Sequence, residues 1–145
     1  MEKKVVVIDG QGGRIGSILI DQIREQLKKD GIACSIYAIG TNSIATSAML
    51  KAGADFAATG ENPVVSNCRD ADCIVGPLGI VIADSLAGEI TPKMAKAVGK
   101  SPGERVLLPI SRCKNHVAGF RETSINELIA DAVRLISLAL RGEGC

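Results

Sequence analysis

The segment Val5-Val6-Val7-Ile8-Asp9-Gly10-Gln11-Gly12-Gly13-Arg14-Ile15-Gly16-Ser17 constrains this chain more than any other. An apolar run stops at a glycine-rich turn, and a helical pattern starts inside that turn. A near-continuous Val/Ile run reads as a strand buried on both faces of a parallel sheet. Glycines let the backbone adopt conformations that side chains forbid, and let a ligand come close. The helix that follows offers free N–H groups and the positive end of its dipole, which suits phosphate. The expectation is an anion pocket at a strand-to-helix corner, most naturally for a nucleotide.

The rest of the chain alternates strand and helix patterns. Strands are expected at 5–8, 34–39, 56–58, 72–75 and 105–109, with a sixth, edge strand at 116–120. The first helix is expected at 14–28, where Ile15, Ile18, Leu19, Gln22, Ile23 and Leu27 keep helical spacing. A second helix is expected to run from the 41–43 turn to about residue 51, with further helices at 61–69 and 92–99. Thr41, Asn42 or Ser43 can cap the second helix. Thr91-Pro92 places a cap residue before proline at a first helical position. Residues 80–86 fit a helix or a buried strand, and the helix is favoured. Ser124-x-x-Glu127 is a capping box for a last helix ending near 140.

This order predicts an α/β fold. It is a single Rossmann-like three-layer domain over residues 1–145, with a mainly parallel five- or six-stranded sheet and helices on both faces. Aromatic residues make up only 2% and Trp is absent, so Val, Ile, Leu and Ala must build the core. Such sheets bind ligands beyond the carboxyl ends of their strands, where the strand order reverses. If the fourth strand lies beside the first, residues 76–79 face residues 10–16 across that crevice.

A net charge of +1 gives no reason to expect nucleic acid or an anionic membrane as partner, and few aromatics exist for bases to stack on. The apolar run after Glu2-Lys3-Lys4 is too short for a signal-peptide core, and none approaches the roughly 20 residues of a membrane helix. A cytoplasmic protein is expected. Its five cysteines are then reduced thiols.

The turn departs from G-x-G-x-x-G, because Ile15 stands where the third glycine belongs. Gly10, Gly13 and Gly16 give G-x-x-G-x-x-G instead, and no Lys follows to make a Walker loop. The run Gly10-x-x-Gly13-Arg14-Ile15-Gly16 resembles the cofactor loop of dihydrodipicolinate reductases, with Ile where that family usually has Met. The likeness covers about the first 20 residues. It implies that Gly10, Gly13, Arg14, Ile15 and Gly16 hold the pyrophosphate of NAD(P)H. That family's substrate domain and His-rich catalytic motif have no counterpart here. As a whole, the chain resembles a family of small Rossmann-like bacterial proteins, a domain of unknown function. Residues 9–16, Gly76-Pro77-Leu78-Gly79-Ile80 and Leu108-Pro109-Ile110-x-Arg112-Cys113 carry that likeness, which implies a fold and no activity.

The candidate cofactor-binding set is therefore Asp9, Gly10, Gln11, Gly12, Gly13, Arg14, Ile15, Gly16, Thr41, Asn42, Gly76, Pro77, Leu78, Gly79 and Arg112. The cofactor expected is NAD(P) or another nucleotide. Two features resist the dinucleotide reading. The second strand runs into Gly40-Thr41-Asn42-Ser43, without the acid that usually takes the ribose hydroxyls. Asp9 would repel phosphate unless Mg²⁺ intervenes, or unless it points at a ribose or a backbone amide. It can also simply cap the turn.

Candidate catalytic residues are His116, the only histidine, together with Cys113 between Arg112 and Lys114, and Asp84. Nearby cations lower a thiol pKa and raise its reactivity. Cys68, Cys73, Cys113 and His116 are of types that bind zinc. The topology puts the first two at one end of the sheet and the others at the opposite end, so no metal site is expected. The last helix carries apolar residues beyond one stripe, Leu128 and Leu135 among them, which suggests a homodimer contact. Three functional classes stay open. One is a nucleotide-binding sensor or accessory protein. The second is a small NAD(P)- or flavin-dependent oxidoreductase with an intersubunit active site. The third is an interaction protein whose glycines only shape turns. On the first reading, Gly13→Val should abolish ligand stabilisation while the protein still folds.

Overall fold

The computed structural model describes residues 1–110, 112 and 114–143. Its elements run in chain order as β1 (Lys3–Asp9), α1 (Arg14–Lys29), β2 (Cys34–Gly40), α2 (Ser43–Lys51), β3 (Phe56–Thr59), α3 (Glu61–Cys68), β4 (Cys73–Pro77), α4 (Pro92–Lys100), β5 (Glu104–Leu108) and α5 (Ile125–Leu140). The five strands form one parallel sheet in the order β3-β2-β1-β4-β5. The strand order thus reverses between β1 and β4, where Val5, Val6 and Val7 pair with Cys73, Ile74 and Val75.

Alternation along β1 assigns the two faces. Val5 and Val7 join a core with Leu19, Ile20 and Ile23 of α1, Met49 of α2, and Ile129 and Ile136 of α5. Val6 and Ile8 join Val64 of α3 and Met94 and Val98 of α4 on the other side. Burial on both faces is why β1 reads as unbroken Val/Ile in the sequence. Ser137, buried in α5, hydrogen-bonds the Asp30 carboxylate that follows α1, tying the last helix to the first. That bond is the first cause holding the Asp30 carboxyl below its usual range.

On the β3 side, Tyr37 of β2 stacks on Phe56 with ring centroids 4.6 Å apart. The Lys4 ammonium lies 4.3 Å from the centroid of the Tyr37 ring. Phe56 stays half exposed, as an edge position allows.

Four expectations need correction. Residues 80–86 are no helix: one 3-10 turn covers Leu78–Val81, and the chain then turns repeatedly to Gly88. Ile80 and Ile90 are buried at the two ends of this segment, so packing at two anchors overrides the helical pattern between them. Residues 116–120 form no strand, and among the described residues the sheet has five. That run turns at Gly119, whose φ is +85°, and Val117 is exposed. The fourth strand extends through Gly76 and Pro77, which pair with Leu107 and Leu108. The box at α5 is half formed: Ser124 Oγ accepts the Glu127 N–H at 3.1 Å, but the Glu127 carboxylate turns to the Thr123 hydroxyl. The Thr91 cap is present, its Oγ1 accepting the Met94 N–H at 3.1 Å. No helix among the described residues is long and apolar enough to cross a membrane.

Candidate functional site

The corner between β1 and α1 is built on Asp9. Its carboxylate is buried and accepts two backbone N–H groups, Gly10 at 2.8 Å and Gly16 at 2.7 Å. Asp9 therefore points at backbone amides, one of the arrangements the sequence left open. Both of its oxygens are turned to these amides. Burial pushes its carboxyl above the ordinary range, and the two amide bonds oppose that shift.

The turn itself is closed by the Gly13 N–H on the Gly10 carbonyl at 2.9 Å. Gln11 and Gly13 take left-handed φ values of 50° and 72°. Gly13 also meets the first turn of α2: a Cβ there would stand 2.7 Å from the Ala45 carbonyl oxygen and 2.8 Å from its Cα. Gly13 is thus required by packing and by backbone conformation together. A valine there would press on α2 as well as on the turn, so Gly13→Val bears on stability as well as on any ligand.

Helices leave their first N–H groups without internal partners. Here Ser17 bonds back to the Gly13 carbonyl, and Gly16 is taken by Asp9. The N–H groups of Gln11, Gly12, Arg14 and Ile15 make no hydrogen bond to another described residue. Gln11, Gly12 and Arg14 are exposed. A Cβ on Gly12 would touch nothing within 4 Å. The accessible part of the corner is residues 11–15. Gly10 and Gly16 shape it, but their amides are occupied.

Gly10 is roofed by residues from two other loops. A Cβ on it would lie 2.7 Å from Thr41 Oγ1, 3.3 Å from Glu89 Oε1 and 3.3 Å from Leu86 Cδ1. The segment 82–90 therefore crosses the crevice and reaches the turn after β2. Thr41 Oγ1 donates to Glu89 Oε1 at 3.0 Å, and Asn42 Nδ2 to Glu89 Oε2 at 3.3 Å. Asn42 also donates to the Gln11 carbonyl at 3.0 Å and caps α2 by accepting the Ala45 N–H at 2.9 Å. Neither Leu86 nor Glu89 is a candidate on sequence grounds. Neither lies in a recognisable motif, and only the fold brings them to Gly10.

The second glycine-rich stretch is largely covered by its own chain. Gly76 and Pro77 lie inside β4, where Gly76 leaves room for the Ile8 carbonyl of β1 and for Ile80. The Gly79 carbonyl accepts the Ile82 N–H at 3.0 Å and the Ser85 hydroxyl. Pro77 and Gly79 are buried, and Leu78 is half buried. The pairing of β1 with β4 does place both stretches at the strand-order reversal, as expected. Residues 76–79 meet the chain's own segment 82–90 there.

A family model described as a domain of unknown function, DUF3842, matches residues 4–141. The chain belongs to the DUF3842 family. Among curated proteins, none matches it.

The remaining candidates of this DUF3842 chain lie elsewhere. Arg112 sits over the Phe120 ring at 4.4 Å and 3.5 Å from Glu122. With His116, Asn115, Pro109, Ile110 and Leu128 it lines a groove of about 330 Å³ after β5. That groove shares no lining residue with the glycine turn, and His116 is exposed in it. Cys113 lies outside the described residues. Asp84 is exposed on segment 82–90 with φ +64°. Cys68 ends α3 and Cys73 begins β4, and both are buried. Burial pushes their thiols up to about 11 and about 12, so both are protonated at neutral pH and poor nucleophiles. The stripe of α5 is largely used within the chain: Ile129, Ala132, Val133, Ile136 and Leu140 are buried, Leu128 packs against the same core, and Ile125 and Leu135 stay exposed.

Proposed function

We propose that this DUF3842 chain binds a nucleotide, NAD(P) or a relative, through the corner between β1 and α1, as a sensor or accessory protein. One observation carries the reading. Four amides with no partner among the described residues, Gln11, Gly12, Arg14 and Ile15, gather at the start of a 16-residue helix where the strand order reverses. Aligned peptide dipoles and free N–H groups favour a phosphate there, and ligands of parallel sheets lie at that edge. The exposed Arg14 side chain can add a charge-assisted contact.

The test is thermal unfolding of the full chain with NAD(H), NADP(H), FMN, FAD, ATP and GTP. A ligand held at 100 times its Kd adds roughly 2.7 kcal/mol of stability, so at least one should raise the melting temperature by several degrees. Gly12→Asp places a carboxylate at the free amides, in space a Cβ leaves empty. It should remove the ligand shift and leave the unliganded melting point close to the wild type. No shift with any nucleotide would refute the reading, and equal shifts in both proteins would move the site away from this turn.

A further inference from the structure

Glu89 is the carboxylate held at the tip of β2, beside residues 11–15. It reaches there from the far side of the crevice, on segment 82–90. Thr41 and Asn42 hold it with one hydrogen bond to each oxygen, at 3.0 and 3.3 Å. Asn42 is itself fixed by its bonds to the Gln11 carbonyl and the Ala45 N–H. The carboxylate is therefore locked between the turn after β1 and the turn after β2. It is half buried and belongs to no ion pair among the described residues. A carboxylate offers about four acceptor positions, so two remain beyond those Thr41 and Asn42 use.

Parallel nucleotide-binding sheets place an acid at the end of the second strand, where it accepts the ribose hydroxyls. In this chain that strand runs into Gly40-Thr41-Asn42-Ser43, which has neither an acid nor a cation. The missing acid is restored in space by a residue 47 positions after Asn42. We infer that Glu89 reads the ribose of the bound nucleotide, accepting its 2′-hydroxyl, so that the ligand is one without a 2′-phosphate. A 2′-phosphate would bring like charge against Glu89, and the Gly40-Thr41-Asn42-Ser43 turn supplies no Arg or Lys to offset it. NAD(H) would then be taken in preference to NADP(H), and ADP in preference to its 2′-phosphorylated form. The inference rests on the nucleotide reading of residues 11–15.

Titration calorimetry on the full chain tests it with four probes: NAD⁺, NADP⁺, ADP and 2′-deoxy-ADP. NAD⁺ should bind at least roughly tenfold tighter than NADP⁺, and ADP roughly tenfold tighter than 2′-deoxy-ADP, the scale of one hydrogen bond to a charged group. Glu89→Gln keeps the shape and should shrink both ratios toward one. The wild-type ratios stand as a test even if that variant folds poorly. NADP⁺ binding as well as NAD⁺, or 2′-deoxy-ADP as well as ADP, would overturn the role of Glu89 and leave the nucleotide site intact. A preference unchanged in Glu89→Gln would do the same. Binding of none of the four probes would instead remove the nucleotide reading, and this inference with it.

Discussion

Beside β1, the glycine-rich turn leaves four backbone amides without a partner among the described residues at the start of a long helix. Beside β4, one strand over, the glycine-rich stretch is partly strand and partly a turn whose Gly79 carbonyl is met twice by its own chain. The two look alike in sequence. They differ in what approaches the bare backbone: in the first α2 lies against Gly13 and segment 82–90 covers Gly10, but Gly12 faces open space; in the second β1 and Ile80 press on Gly76 and segment 82–90 on Gly79. Glycine marks a place where something comes close. It does not say whether that something is a ligand or the protein itself.

Substitutions at the two places should therefore behave differently. The largest effect belongs to Gly13→Val. Its φ of 72° and the 2.7 Å approach to the Ala45 carbonyl combine backbone strain with overpacking. A loss of roughly 3 kcal/mol or more is expected, read by denaturant unfolding. A variant as stable as wild type would mean that α2 does not press on this turn.

Asp9→Ala comes next. It strips the Gly10 and Gly16 amides of their acceptor inside a buried corner. Roughly 1–3 kcal/mol should be lost. A change below about half a kcal/mol would show that water replaces the carboxylate there.

The same residue gives a smaller, pH-dependent effect. Burial raises the Asp9 carboxyl above its ordinary value, so the folded chain takes up that proton before the unfolded chain does. Its contribution is most favourable below the unfolded pKa and is lost as pH rises through the folded one. Wild type should therefore gain stability relative to Asp9→Asn as pH falls from neutral toward the ordinary carboxylate range. Asp30, Asp55 and Asp70 are shifted down and lose stability in acid. They do so in both proteins, so the difference in melting temperature isolates Asp9. A difference that shrinks or reverses toward acid would contradict the burial of this carboxylate.

The smallest effect is expected on segment 82–90. Ala87 holds φ at 55°, which costs a non-glycine residue roughly 1–2 kcal/mol. Ala87→Gly removes that strain and adds roughly 0.5–1 kcal/mol of backbone entropy cost. The net should lie between no change and a gain of roughly 1.5 kcal/mol, centred below about 1 kcal/mol. A clear loss of stability would place the Ala87 methyl in a contact that matters, and would weaken the contrast between the two turns.

Most of the fold was legible because it rests on regular periods. The double burial of β1 shows as Val/Ile, the i, i+3, i+4 spacing shows α1, and Thr91-Pro92 shows the start of α4. The candidate site was legible only in its first half. Asp9 and residues 10–16 are contiguous, so the corner could be read from spacing alone. The roof over Gly10 could not. Leu86 and Ala87 sit in left-handed conformations that their side chains disfavour, and only tertiary packing holds them there. The apolar spacing of 80–86 points to a helix for the same reason, since a local pattern carries no information about the buried anchors Ile80 and Ile90. Glu89 likewise stands at the tip of β2 only once β4 has been placed beside β1.

The pairing of Tyr37 with Phe56 has a practical consequence. The chain has one tyrosine and no tryptophan, so its intrinsic fluorescence comes from a single ring at the β2–β3 edge. That ring lies three residues before Gly40, roughly 10 Å along the strand from the tip of the sheet. Its emission is a built-in gauge of whether the sheet's border has frayed, and is nearly blind to events at the glycine corner. Unfolding can thus be followed through this one ring, with no dye attached.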